Sequence, residues 1–150
     1  MKRLHRVLAA TAVGASTVAL SACSFFSPLQ TAKPYAPGDG VSATSGAVRG
    51  VNLVVVSEAA GKPGAINGAI VNAGDQPVSV SFQSAEGATT APISVPAKGS
   101  TKITGATLDK VAKAPGYLTD IYLVTPQGKT AVSVPVLKPE GPYEGLGPKA

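Results

Sequence analysis

The stretch VSVSFQ at residues 78–83 alternates strictly between apolar and polar side chains. Successive side chains of an extended strand point to opposite faces, so Val78, Val80 and Phe82 share one face and the polar residues share the other. Such a pattern is typical of a strand that packs one side on a core and exposes the other to solvent. The stretch therefore predicts a half-buried β-strand.

Other apolar runs, rich in β-branched residues, flank this stretch and are separated by turns of glycine and proline. The run at residues 48–57 is almost continuously apolar, as expected of a central strand, whereas Pro92 favours an edge position for its strand. Residues 107–113 are compatible with a helical turn capped by Thr107. Altogether the sequence predicts about seven strands, at residues 48–57, 65–72, 78–83, 89–95, 100–103, 117–125 and 131–137.

This order of short strands and turns predicts an all-β domain at residues 47–138, built as an antiparallel two-sheet sandwich. The last two strands are expected to form a hairpin. The term immunoglobulin-like refers to the architecture alone. The chain has one cysteine and no tryptophan, so it lacks the paired cysteines and the core tryptophan of immunoglobulin domains. Residues 139–150, rich in proline and glycine, are predicted to be a disordered tail.

The N-terminal segment has the pattern of an export signal. Lys2, Arg3 and Arg6 provide a cationic start, and residues 7–20 are uncharged and moderately apolar. That run is shorter than the roughly 20 apolar residues of a membrane-spanning helix. A signal peptide is therefore predicted at residues 1–22.

The signal ends in Leu20, Ser21, Ala22 and Cys23, which is similar to the lipobox of bacterial lipoproteins. The resemblance implies cleavage between Ala22 and Cys23 and attachment of lipid to the Cys23 sulfur, whose thiolate is the nucleophile. The alternatives are an ordinary buried thiol, or a secretory signal cut near a cysteine that is there by chance. Residues 23–46, rich in small residues and proline, are predicted to be a flexible tether.

Charge and composition limit the possible partners. The chain carries 13 basic and 8 acidic residues, and three of the basic ones lie in the predicted signal, so the remainder has a net charge of +2. The remaining basic residues are scattered, which disfavours nucleic-acid binding. The partners expected are the membrane, through the anchor on Cys23, and an envelope protein or cell-wall component.

The sequence predicts no enzyme, cofactor or metal site. The one histidine, His5, lies in the signal, which leaves no base for a serine or cysteine triad. Ser100 and Lys102 are interpreted as neighbours on the solvent face of a strand, and Asp75 as a single carboxylate in a turn. Tyr122 is interpreted as a core or rim residue, with contact to a partner or glycan as the alternative. The carboxylates are expected to be solvated, mostly in turns or tails.

Three tracts together resemble the exported copper chaperones of the PCuAC type and the actinobacterial lipoproteins similar to them, including LpqE-like proteins. These tracts are residues 65–84, residues 93–100 and residues 131–136. The resemblance spans residues 49–137 and implies a cupredoxin-like sandwich. It also implies a copper site of Met and His ligands, yet Met1 and His5 are the only such residues and both lie in the predicted signal.

Taken together, the sequence predicts a lipid-anchored envelope protein at the extracytoplasmic face of the cell membrane, acting as a non-enzymatic binding module. The alternative is metal handling, specifically of copper, on a scaffold related to the PCuAC-type chaperones.

Overall fold

The computed structural model describes residues 38–148. The predicted signal peptide, the lipobox with Cys23 and most of the predicted tether lie outside the described residues. The described part is all-β, with one 3₁₀ turn at Gly141–Tyr143. Its strands are β1 Val41–Ser45, β2 Val48–Ser57, β3 Gly64–Asn72, β4 Val78–Ser84, β5 Ile93–Val95, β6 Gly99–Lys102, β7 Ala106–Leu108, β8 Leu118–Thr125 and β9 Gly128–Leu137.

These strands form one mixed sheet in the order β5-β4-β8-β9-β2-β3-β6, with β1 beside β2 and β7 beside β3. All pairs are antiparallel except β2 and β9, which run parallel where Val55 is opposite Val136. The two ends of the order approach each other, because the Thr101 hydroxyl donates a hydrogen bond of 3.2 Å to the Ser94 carbonyl. The sheet is therefore nearly closed.

The all-β class predicted from the sequence is confirmed, but the expectation of seven strands in an all-antiparallel two-sheet sandwich is not supported. The parallel pair arises because β2 is ten residues long and has two partners along one edge. Its first part pairs with β1, and its last part pairs with the end of β9.

The two additional strands lie in segments to which the sequence assigned other structures. The strand β1 falls in the predicted tether, and its Ala43 and Ser45 are buried although both are small. The strand β7 replaces the helical turn suggested at residues 107–113, because Leu108 becomes buried when it pairs opposite Gly64. Tertiary burial thus overrides the weak local preference at both places.

Several strand predictions are confirmed. The alternation at residues 78–83 belongs to β4, with Val80 and Phe82 fully buried. The long strand β2 pairs on both of its edges, and β5 lies at an end of the sheet order. The strands β8 and β9 form the expected hairpin, paired from Leu118 opposite Pro135 to Thr125 opposite Gly128.

The core lies between the inner faces of the strands. It consists of aliphatic side chains around Phe82, the largest fully buried side chain. Each fully buried side chain of this type contributes about 1.5–3 kcal/mol to stability. The main members are Leu53, Val55, Ile66, Ile70, Phe82, Ile121, Leu123, Val134 and Val136.

The C-terminal residues also differ from the prediction. Residues 139–148, expected to be disordered, follow β9 with the 3₁₀ turn and then pack on the sheet. We call residues 138–148 the C-terminal strap.

Candidate functional site

The lipobox residues Leu20, Ser21, Ala22 and Cys23 lie outside the described residues, so their assigned roles stay predictions. Of the other candidate site residues named from the sequence, Ser100, Lys102, Asp75 and Tyr122 lie in the described part of the chain. Ser100 and Lys102 are exposed on the same face of β6, as predicted.

The carboxylates of residues 38–148 are likewise exposed. Asp75 forms an ion pair of 2.8 Å with Lys98, and both side chains are largely in solvent. Asp120 accepts a hydrogen bond from the Ser133 hydroxyl. Within the described part of the chain, no three metal-ligating side chains come together.

Tyr122 is half-buried and lies opposite Gln83 of β4 and Ala131 of β9. Its neighbours Ile121 and Leu123 point into the core, so alternation places Tyr122 on the outer face of the sheet. Tyr122 is therefore not a core residue, and it lies on the outer face in the middle of β8.

The most unusual backbone geometry is a bulge between β2 and β3. The pairing register shifts between Val51 and Val54, and Asn52 adopts a positive φ of 52°. Opposite it, Gly68 has a φ of 136°, and a Cβ there would lie 2.7 Å from the carbonyl oxygens of Val51 and Asn52. Bulges of this kind redirect side chains and are common beside functional sites.

The Asn52 side chain fixes the entry of the chain into the domain. Its Oδ1 accepts a hydrogen bond of 3.0 Å from the Gly40 N–H. Asparagine tolerates a positive φ better than most residues, which explains its presence at this position. The bulge therefore ties residue 40 to the middle of the β2–β3 pair.

A groove runs along the bulge on the face of β2 and β3 that points away from the core. Its volume is about 480 Å³. We call it the outer groove and define it by Val51, Asn52, Val54, Asn67, Ala69 and Lys102 of the sheet, together with Tyr143 and Leu146 of the C-terminal strap. A second cavity of about 440 Å³ shares Asn67, Lys102 and Leu146 with it and continues toward Ala65 and Thr107.

The C-terminal strap lies across this face. The Asn67 side-chain amide donates a hydrogen bond of 3.0 Å to the Leu146 carbonyl and another of 3.2 Å to the Ala65 carbonyl. Farther along, Pro139 and Pro148 line a small depression together with Glu58. The strap thus follows the outer face of β2.

The strap is also joined to the start of the domain. The Tyr143 hydroxyl donates a hydrogen bond to the Asp39 carboxylate. This hydrogen bond, followed by desolvation and the carboxylate charge, raises the pKa of Tyr143 above its usual value of about 10. The protonated phenol is therefore the form that holds the strap against Asp39.

Apolar walls with a few polar groups give the outer groove its chemical character. Val51, Val54 and Ala69 line its floor, and Asn67 offers amide donors. Lys102 is exposed at the rim and forms no ion pair with a described acidic residue. Apolar walls with a few polar groups are typical of ligand-binding sites.

Sequence reasoning did not single out Asn52, Asn67 or Gly68. The available signals were an asparagine inside each of two apolar runs and a glycine inside the second, which together indicate a bulge or a close backbone approach. Only their alignment across the β2–β3 ladder shows that these residues form one feature.

No protein-family model matches this sequence, and no curated protein matches it significantly. The described residues also contain no helix with the length and apolarity needed to cross a membrane.

Proposed function

We propose that this protein is a lipid-anchored protein of the bacterial cell envelope, held at the extracytoplasmic face of the cell membrane through Cys23. The observation that carries the proposal is the coincidence of Leu20, Ser21, Ala22 and Cys23 with the end of the uncharged run. Two or more acyl chains would anchor the protein durably, whereas one would hold it only marginally.

Membrane fractionation of cells expressing the full chain tests the anchor. Cys23→Ala is expected to move the protein from the membrane fraction to the soluble extracytoplasmic fraction, and metabolic labelling with palmitate is expected to disappear. Ser24→Ala is the matched control, because it changes the next residue and leaves the thiol in place. Retention of Cys23→Ala in the membrane would contradict the proposal.

We further propose that the domain is a non-enzymatic binding module that uses the outer groove. Support comes from the volume of the groove, which lies within the range of about 300–1,000 Å³ for ligand sites, and from its apolar walls with few polar groups. The bulge is further support, because Asn52 and Gly68 adopt positive φ angles that a regular pair of strands does not require.

Site-specific crosslinking in cells tests this role. A photoreactive residue at Ala69, in the groove, is expected to capture an envelope component, and Lys102→Ala is expected to weaken the capture. Ser79, exposed on β4, provides the control position. Equal capture from positions 69 and 79 would argue against a binding role for the groove.

A second candidate is copper handling on a cupredoxin-like sandwich. It is favoured by the resemblance of residues 49–137 to PCuAC-type chaperones and is consistent with the all-β fold. Titration of the domain with Cu(I) against a competing chelator separates the candidates. We expect no stoichiometric binding, because the residues from Cys23 onward contain neither Met nor His. Tight binding at one ion per chain would favour the second candidate.

A further inference from the structure

The last part of strand β2, residues 53–57, is buried on both of its faces. Leu53 and Val55 point into the core, so alternation directs Val54 and Val56 to the outer face. An outward-facing strand residue is normally exposed to solvent, yet Val54 is 3 % exposed and Val56 is 0 % exposed. Tyr143 and Leu146 of the C-terminal strap line the groove beside Val54, so the strap lies over this part of the face.

The strap is seated as an extended peptide ligand would be. Its backbone presents the Leu146 carbonyl to the Asn67 amide, and the Leu146 side chain stands between two cavities. The strap does not fill the face, since cavities of about 480 and 440 Å³ remain on either side of Leu146. A peptide with larger apolar side chains than those of the strap would fill these cavities on the same face.

The attachments of the strap are few and mostly near solvent. Gly141 and Gly145 have positive φ angles of 57° and 74°, and a Cβ at either position would meet no atom within 4 Å. The ion pair of 3.5 Å between Lys138 and Glu140 is exposed and joins two residues of the strap itself. Exposed ion pairs of this kind contribute at most about 1 kcal/mol. Few polar contacts therefore hold the strap on the sheet.

We propose that the outer groove is a peptide-binding site and that the C-terminal strap is its built-in competitor. The ligand is an extended segment of a partner protein that presents a backbone carbonyl to Asn67 and an aliphatic side chain to Val54. An acidic residue of that segment pairs with Lys102, a contact that no described residue of the strap makes. This inference rests on the proposed binding role of the groove.

The experiment uses the full chain and a fluorescent synthetic peptide with the sequence of residues 138–150. In the unchanged protein the strap lies on the face that the peptide would take, so the apparent affinity for the peptide falls with the fraction of molecules in which the strap has left that face. Leu146→Ser weakens the seating of the strap and is expected to bind the peptide about ten-fold more tightly than the unchanged protein. Leu118→Ser changes an exposed leucine on β8 and is expected to leave peptide binding unchanged.

A second variant tests the carbonyl contact. Asn67→Asp keeps the size of the side chain but removes its N–H donors, so it is expected to abolish peptide binding in the Leu146→Ser background. Should Leu146→Ser fail to fold, Tyr143→Phe removes the hydrogen bond to Asp39 and serves as the strap-releasing variant.

Equally weak peptide binding by the unchanged protein and by Leu146→Ser would overturn the inference. So would concentration-dependent dimers of the unchanged protein that disappear in Leu146→Ser, because the occupant would then be a second copy. Neither result bears on the lipid anchor, and crosslinking from Ala69 in cells would still report a binding role for the groove.

Discussion

The side-chain amide of Asn67, in the middle of β3, donates a hydrogen bond to the carbonyl of Leu146, 79 residues later in the chain. This contact brings the C-terminal strap onto the outer face of β2 and β3. Asn67 faces outward because it alternates with the buried Ile66 along β3, and the bulge of β2 lies opposite the next residue, Gly68. The bulge, the groove and the strap are therefore parts of one arrangement.

The backbone of β2 lies so close to Gly68 that any side chain at this position is expected to destabilise the fold. Gly68→Ala is expected to lower the free energy of unfolding by about 2 kcal/mol or more, since strain at a positive φ adds to contact with two carbonyl oxygens. Gly87→Ala is the control, because Gly87 also has a positive φ but has open space around it. Chemical denaturation measures both, and equal losses would contradict a special role for the bulge.

A difference in burial predicts different losses of stability for two valines on the outer face of the sheet. Val56 is fully buried, whereas Val71 is 38 % exposed. Val56→Ala is expected to lower the free energy of unfolding by about 1.5–3 kcal/mol, and Val71→Ala by less than about 0.5 kcal/mol. Urea unfolding checks the difference. Similar small losses for the two variants would show that Val56 is not buried in solution.

The buried side chain of Asn72 joins two turns at one end of the sheet. Its amide donates to the carbonyls of Gln76 at 2.8 Å and Pro96 at 3.2 Å, and its Oδ1 accepts from the Gly74 N–H at 2.9 Å. Asn72→Ala leaves these groups without their partner and is expected to lower the free energy of unfolding by about 2–4 kcal/mol.

Gln76→Ala is the matched control for Asn72, because it keeps the backbone carbonyl and removes an exposed side chain. It is expected to change the free energy of unfolding by less than about 0.5 kcal/mol. Thermal or denaturant unfolding measures both variants. A loss of less than about 1 kcal/mol for Asn72→Ala would mean that solvent replaces its hydrogen bonds.

The hydrogen bond between Tyr143 and Asp39 predicts a dependence on alkaline pH. A raised pKa means that the fold stabilises the protonated phenol, so this stabilisation is fully present below the ordinary pKa of about 10 and is lost as the pH rises through the raised value. Asp39→Asn is expected to lower the pKa of Tyr143 toward its usual value.

Ultraviolet absorbance of the phenolate, compared with that of Tyr143→Phe, reports the titration of Tyr143. Asp120→Asn is the control, because Asp120 is an exposed carboxylate that accepts its hydrogen bond from Ser133 instead. An unchanged Tyr143 titration in Asp39→Asn would show that the two groups are not in contact in solution.

Local patterns of side chains are sufficient to predict the all-β class and most of the strands. Alternation at residues 78–83 and the apolar run at residues 48–57 depend on local periodicity, and each strand is found where the pattern placed it. The sequence also carries the full basis for the predicted anchor at Cys23, because a lipobox is a local pattern of side chains. These features require no knowledge of distant contacts.

Contacts between distant parts of the chain set the parallel pairing of β2 with β9, the strands β1 and β7, and the position of the C-terminal strap. Val41–Ser45 contains small residues whose burial depends on β2, and the strap depends on partners 79 and 104 residues away, at Asn67 and Asp39. No local pattern encodes such contacts. The energy that fixes them comes from burying surfaces that the chain brings together only after the strands have paired.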